Sequence, residues 1–346
     1  MFEIPKITAN IEQKTPVWTG SINDNLMVRI EETGILGSIR WLYEAVMRGF
    51  DSEVCDPASS KCNYDEKQAD KTGIATDGFY DDKGKISVCP ACQIFGCTGW
   101  SKQFRMQCAQ KGNFKFSKSG YNHDNHAPRK NGYYSLCNNT ENKGTFTLEF
   151  YPRNKNVGEI LTYLISLINK WGGLGARPQM GHGIVDIDIN SPYKTNLLQS
   201  SHHKITQNFL NGIPVLKDFF FCKLEVNNTS YPVKHQLIEA KYQLRQAFHN
   251  SQYSRNIRHF ICGEVGVDKK SSKIFISYPF VDSNGKNIML IRGYIPQNPR
   301  MSGYDQQKIM ELIYDAIKIR IGGNIIEWTD YLNTKQNYTN WLTTLI

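Results

Sequence analysis

The chain has 346 residues, enough for two domains at about 100 to 200 residues each, with 40% hydrophobic and 21% charged residues. That composition excludes a disordered, collagen-like or disulfide-stapled miniature chain, and no uncharged apolar run approaches the ~18 residues of a membrane helix. Lys and Arg number 41 against 32 Asp and Glu, and the resulting +9 favours a polyanionic partner: nucleic acid, an acidic membrane surface or an acidic protein.

The opening MFEIPKITANIEQK has no basic stretch followed by an apolar core, so a cytoplasmic protein with reduced cysteines is expected. Alternation from Glu3 to Gln13 predicts a strand. In TGILGSIRWLYEAVMRGF, Ile35, Leu36, Ile39, Leu42, Tyr43 and Val46 recur at helical spacing, with Thr33 as N-cap and a stop at Gly49. Arg40, Glu44 and Arg48 share one face of that helix. Residues 51 to 87 are polar, rich in Gly and Asp, and too long for an ordinary connection. NFKFSKS and GTFTLEFYP then alternate as strands, NVGEILTYLISLINKW reads as an amphipathic helix, and GIVDIDIN as a closing strand.

This βαββαβ order is the ferredoxin-like pattern. It returns after a polar linker around Asn190 to Asn208: strand DFFFCKLEV, helix HQLIEAKYQLRQAFHN, a hairpin from SKIFISYPF to KNIMLIRGYIP, helix YDQQKIMELIYDAIKIR and strand NIIEW. The expected class is therefore α+β, with two ferredoxin-like, RRM-like domains over residues 1–200 and 201–346. The first carries a cysteine-containing insertion at about 51–93 and a glycine-rich loop at 172–183, and a short tail runs from Thr329 to Ile346.

Three segments carry chemistry. Cys55 and Cys62, then 26 residues, then Cys89 and Cys92 place two cysteine pairs on a weakly hydrophobic excursion, as a structural zinc requires. Cys97, His123 and His126 are alternative ligands. Trp171 to Gly183, WGGLGARPQMGHG, follows a helix and lacks the Lys-Ser/Thr of a nucleotide-hydrolysing loop. Its glycines permit close approach of backbone amides to phosphate, and Arg177 adds charge. Between Ser101 and Lys130 the basic residues Lys102, Arg105, Lys111, Lys115, Lys118, Arg129 and Lys130 face a single acid, Asp124, among Phe104, Phe114, Phe116 and Tyr121, directly after Trp100. Charge that tracks a phosphate backbone beside rings that stack on bases suits single-stranded nucleic acid.

Together TGILGSIRWLYEAVMRG, CPACQIFGCTGW and GGLGARPQMGHG resemble the RAMP proteins of type III CRISPR systems, and more narrowly subunit one of type III-B Cmr effector complexes. The resemblance spans residues 15 to 190. It implies two ferredoxin-like domains, CRISPR RNA, target RNA and other Cmr RAMP subunits as partners, no membrane, and a place near the 3′ part of the CRISPR RNA where target is captured without cleavage. The implied RNA-binding residues are Gly37, Ser38, Arg40 and Trp41; Thr98, Gly99 and Trp100, with Lys102 and Arg105 beyond them; and Gly173, Leu174, Gly175, Ala176 and Arg177. Because relatives carry a small polar residue at the position of Cys97, the resemblance favours Cys55, Cys62, Cys89 and Cys92 as zinc ligands. Relatives also carry a basic residue late in the glycine loop, where this chain has Pro178, Gln179 and Met180.

Two other readings compete with an RNA binder that does no chemistry. One is a metal-independent endoribonuclease using His182, or Asp24 in SINDN, which needs a proton acceptor at a 2′-OH and a cation for the oxyanion. The other is a structural end-cap whose basic face meets an acidic neighbour.

Overall fold

Burial of Ile7, Ala9 and Ile11 with Thr8, Asn10 and Glu12 facing outward makes a half-buried strand of residues 7–13, β1 (Ile7–Gln13). The computed structural model describes residues 5–20, 26–27, 29–52, 54–56, 62, 64, 79–80, 86–111, 116–122, 133–138, 144–195, 212–226, 233–264, 270–298 and 300–346. After β1 come α1 (Glu32–Gly49), the short α2 (Pro90–Phe95), β2 (Phe104–Lys111), β3 (Thr145–Pro152), α3 (Lys155–Trp171) and β4 (Val185–Asn190). The sheet order is β2-β3-β1-β4, all antiparallel, with Ile7 opposite Phe150 and Thr8 opposite Asn190. This is ferredoxin-like topology.

The second strand of this unit is not NFKFSKS. Phe116–Asn122 pairs with Leu26–Met27 and Tyr133–Asn138 in a separate three-stranded ribbon. FRMQCAQK takes its place because Phe104 and Met106 turn into the core while Arg105 and Gln107 stay out. Nor is Thr33 the cap of α1. The helix begins at Glu32, and the backbone N–H of its N-cap, Glu31, is satisfied by Thr19 Oγ1 at 2.8 Å.

The second unit comprises β5 (Phe219–Glu225), α4 (Val233–His249), α5 (Arg255–Cys262), β6 (Ile274–Ile276), β7 (Asn287–Tyr294), α6 (Gln306–Ala316) and β8 (Asn324–Asp330), followed by α7 (Tyr338–Thr344). Its order, β6-β7-β5-β8, repeats that of the first sheet. β5 explains why its sequence is continuously apolar: Phe219 and Phe221 enter the first core, whereas Phe220, Cys222 and Leu224 enter the second. Trp41 of α1 lies in the seam, its ring centroid 5.9 Å from Phe219 and 6.4 Å from both Phe275 and Tyr294.

The tail folds back onto the first unit. Tyr338, Trp341, Leu342 and Leu345 join its core, and Trp171 Nε1 donates to Leu345 O at 3.0 Å. Among the described residues no helix is long and apolar enough to cross a membrane.

Candidate nucleic-acid interface and metal centre

Pro90 at the first position of α2 presets its φ, so Cys89 becomes the N-cap and Cys92 falls in the first turn. Tyr64 N–H donates to Thr98 O at 2.9 Å, tying that residue to the turn after α2. The Sγ atoms of Cys55, Cys62, Cys89 and Cys92 lie within 4.8 Å of one another, with Cys55 at 3.5 Å from Cys92 and 3.6 Å from Cys89. A tetrahedral thiolate site with bonds of ~2.3 Å separates its sulfurs by about 3.8 Å, so the donor set and its spacing fit a metal. Hydrogen bonds from Cys62, Cys89 and Cys92 hold the Cys55 thiol far below its ordinary range. Cys97 falls outside the four, while His123 and His126 lie outside the described residues.

Arg40 ties this cluster to α1. Its Nε donates to Glu44 Oε1 at 2.8 Å, Nη1 to Gly96 O at 3.0 Å and Nη2 to Cys92 Sγ at 3.1 Å. Burial works against the charge, but the hydrogen bond to Glu44 and the charges of Cys92 and Glu44 outweigh it and hold the guanidinium above its ordinary range. All three of its nitrogens are engaged within the fold, so three of the five N–H donors of Arg40 are already committed to Glu44, Gly96 and Cys92. Glu44 also faces Arg48, whose Nη1 and Nη2 donate to Pro214 O at 3.2 Å and Cys55 O at 3.3 Å.

The glycine loop is likewise closed on itself. The amides of Gly173 and Leu174 both donate to Gly183 O, at 2.8 and 3.1 Å, and that of Ala176 to Trp18 O at 2.6 Å. Gly175 N–H donates to Ser38 Oγ at 2.9 Å. These amides are therefore not left to cradle phosphate. The glycines have packing reasons: at Gly175, with φ 81°, a Cβ would collide with Trp18 O, and at Gly183 with Leu174 O. Arg177 remains the cationic member of the loop, its guanidinium 4.1 Å above the Trp18 ring.

The other expected contacts divide. Trp41 braces the seam between sheets with its ring half-buried. Trp100 meets Tyr64 edge-on at 5.3 Å and donates Nε1 to Gln93 O at 3.1 Å, bracing its own turn. Thr98 and Gly99 are exposed, and Lys102 is half-buried. Arg105 is exposed on the edge strand β2, 5.1 Å over the ring of Tyr151. Gly37, Arg40 and Trp41 from α1, Gly96 and Thr98 from the second motif, and Pro214 from the second unit line one cavity of about 610 Å³. Ser38 to Gly175 and Arg40 to Gly96 thus join the three motifs directly.

His182 is 2% exposed between Trp18 and Tyr278. Burial first, then the charges of Arg177 and Lys241, push its pKa down to about 3. Asp24 lies outside the described residues.

Two cations beneath the loop escaped sequence reasoning. Arg292 Nη1 donates to Gly172 O at 2.6 Å, and burial pushes its guanidinium down to about 10. Lys241 Nζ donates to Gln179 O. An arginine inside the otherwise apolar run IMLIRGY was the available signal for the first.

The sequence profile of the RAMP superfamily matches residues 10–186, a span that contains all three motifs. No curated protein matches the chain in sequence. Among solved structures it is similar to the crystal structure of apo Cmr1 from Pyrococcus furiosus, at 12% identity and a TM-score of 0.46, over 91% of this chain and 97% of that one.

Proposed function

The chain belongs to the RAMP superfamily, and from that premise we propose that it is a non-catalytic RNA-binding subunit of a type III-B CRISPR (Cmr) effector complex. In this reading it sits near the 3′ part of the CRISPR RNA among other Cmr RAMP subunits and helps capture complementary target RNA. The carrying observation is the convergence of three motifs far apart in sequence, joined by Ser38 to Gly175 and Arg40 to Gly96. RNA contacts fall to Arg105, which lies over the Tyr151 ring, to Lys102, and to Arg177, whose guanidinium lies over the buried Trp18.

Cys55, Cys62, Cys89 and Cys92 would hold a zinc ion, which would supply structural cross-linking of the insertion to α2. The nuclease reading has weak support at His182. A general base must come within hydrogen-bond reach of a 2′-OH, and a side chain buried between two rings with a pKa near 3 does not offer that.

The test is a salt titration of affinity for single-stranded RNA. Several phosphate contacts give a log–log slope of about −0.7 each. A flat dependence favours the structural end-cap, and shortened RNA products favour the nuclease.

A further inference from the structure

Glycine is among the least favourable residues in a helix interior, so a glycine there calls for a reason. Two glycines of α1 have one in packing: a Cβ at Gly34 would run into the Thr19 backbone, and one at Gly49 into the Tyr338 ring. Gly37 has none of that kind. It is exposed, and a Cβ built on it meets nothing within 4 Å among the described residues. What it adjoins is the cavity of about 610 Å³, within the range of sites that enclose small molecules and ample for one nucleoside.

The chemistry of that cavity selects its occupant. Trp41 and Pro214 give apolar surface, and Cys55, Cys62 and Cys92 give sulfur. Arg48, 2% exposed, also lines it, and its Nε is buried without an acceptor among the described residues. A buried donor of this kind is costly unless a ligand completes it. The two guanidiniums are already answered, Arg40 and Arg48 by Glu44 and Arg48 further by Asp56, and the sulfurs add negative character. A phosphate entering here finds its positive charge spent. A neutral planar ring that carries both acceptors and donors finds apolar walls, a waiting N–H and polarisable sulfur.

We propose that this cavity receives one unpaired base of bound RNA, with Arg48 Nε donating to a ring nitrogen or carbonyl of that base and Gly37 leaving the room for it. The inference rests on the RNA-binding reading. It adds a site for a splayed-out base to contacts that otherwise track the backbone.

The experiment compares an oligonucleotide of single-stranded RNA with the same strand carrying abasic sites, on the wild-type chain and on Gly37→Leu and Thr98→Trp, which enlarge the side chain at two lining positions, one in each of two motifs. Each variant is expected to lose about tenfold or more in affinity for the intact strand and to bind the abasic strand as the wild type does. Gly37→Ala is expected to raise Tm by about 2 °C, because helix propensity improves where nothing clashes. Unchanged affinity for the intact strand, or equal losses on both strands, overturns the base site while leaving RNA binding in place. If the wild type binds neither strand, the RNA-binding reading falls and this inference with it.

Discussion

Arg40 Nη2 lies 3.1 Å from Cys92 Sγ, so an arginine of the first helix donates to a cysteine 52 positions further along the chain. Such outer-shell donors orient and neutralise thiolate ligands, and losing one typically costs 10–100-fold in metal affinity. Arg40→Gln is therefore expected to release metal to a chelator at about 10–100-fold lower concentration than the wild type. Arg40→Lys, a point charge without the fork, should fall between them. Identical chelator titrations for all three would show that the contact has no part in holding metal.

Elemental analysis of purified protein is expected to find about one zinc per chain. Cys89→Ser removes one of four sulfurs and disturbs the start of α2 at the same position. The variant should lose the ion and melt earlier, and chelation of the wild type should lower Tm to a similar degree. A metal-free wild type that melts no lower than a zinc-loaded sample would dismiss the assignment.

His182 makes stability depend on acid. Its ordinary pKa of 6.5 is pushed down to about 3 in the fold. Between these values the unfolded chain binds a proton that the folded chain refuses, so stability rises with pH and is lost as pH falls below about 6.5. The slope approaches about 1.4 kcal/mol per pH unit within that window. His182→Phe keeps a ring between Trp18 and Tyr278 and should flatten urea midpoints measured across it. An unaltered pH profile would mean that another group sets the acid sensitivity.

Trp341 is 2% exposed and donates Nε1 to Thr329 Oγ1 at 3.0 Å, in a tail that also accepts from Tyr163 and Trp171. Trp341→Ala is expected to cost about 3–5 kcal/mol in urea unfolding, the usual figure for emptying so large a buried site. Deleting residues 337–346 should cost more, since Tyr163 OH and Trp171 Nε1 lose buried acceptors. A deletion as stable as the full chain would contradict the role given to the tail.

The fold was legible wherever periodicity was strong. α1, α3, α4 and α6 follow their apolar spacing, and DFFFCKLEV, read as a strand, forms β5. β2 was harder to see because only Phe104 and Met106 mark its core face before the alternation fades through Cys108 and Gln110. The two cysteine pairs could be read from spacing, and the resemblance favoured them over Cys97. The partners of Arg40 beyond Glu44 could not, since its side chain links α1 to Gly96 and Cys92 by contacts that no local pattern encodes. The glycine loop misled for a similar reason: the sequence shows that amides can approach a phosphate, whereas Trp18, Ser38 and Gly183 supply the acceptors they use.

Arg105 and Tyr151 face each other across β2 and β3, with the guanidinium 5.1 Å from the ring centroid, on an edge strand whose outer face is exposed. A phosphate contact at Arg105 carries no base information, so Arg105→Ala should weaken single-stranded RNA of every sequence alike and make the log–log salt slope shallower by about 0.7. Tyr151→Ala should instead lower affinity by about 1–3 kcal/mol with the slope retained, because stacking releases no counterions. Loss of affinity for one base composition only, or a slope unmoved by Arg105→Ala, would mean that the pair is a solvated surface contact and that the backbone of the RNA runs elsewhere.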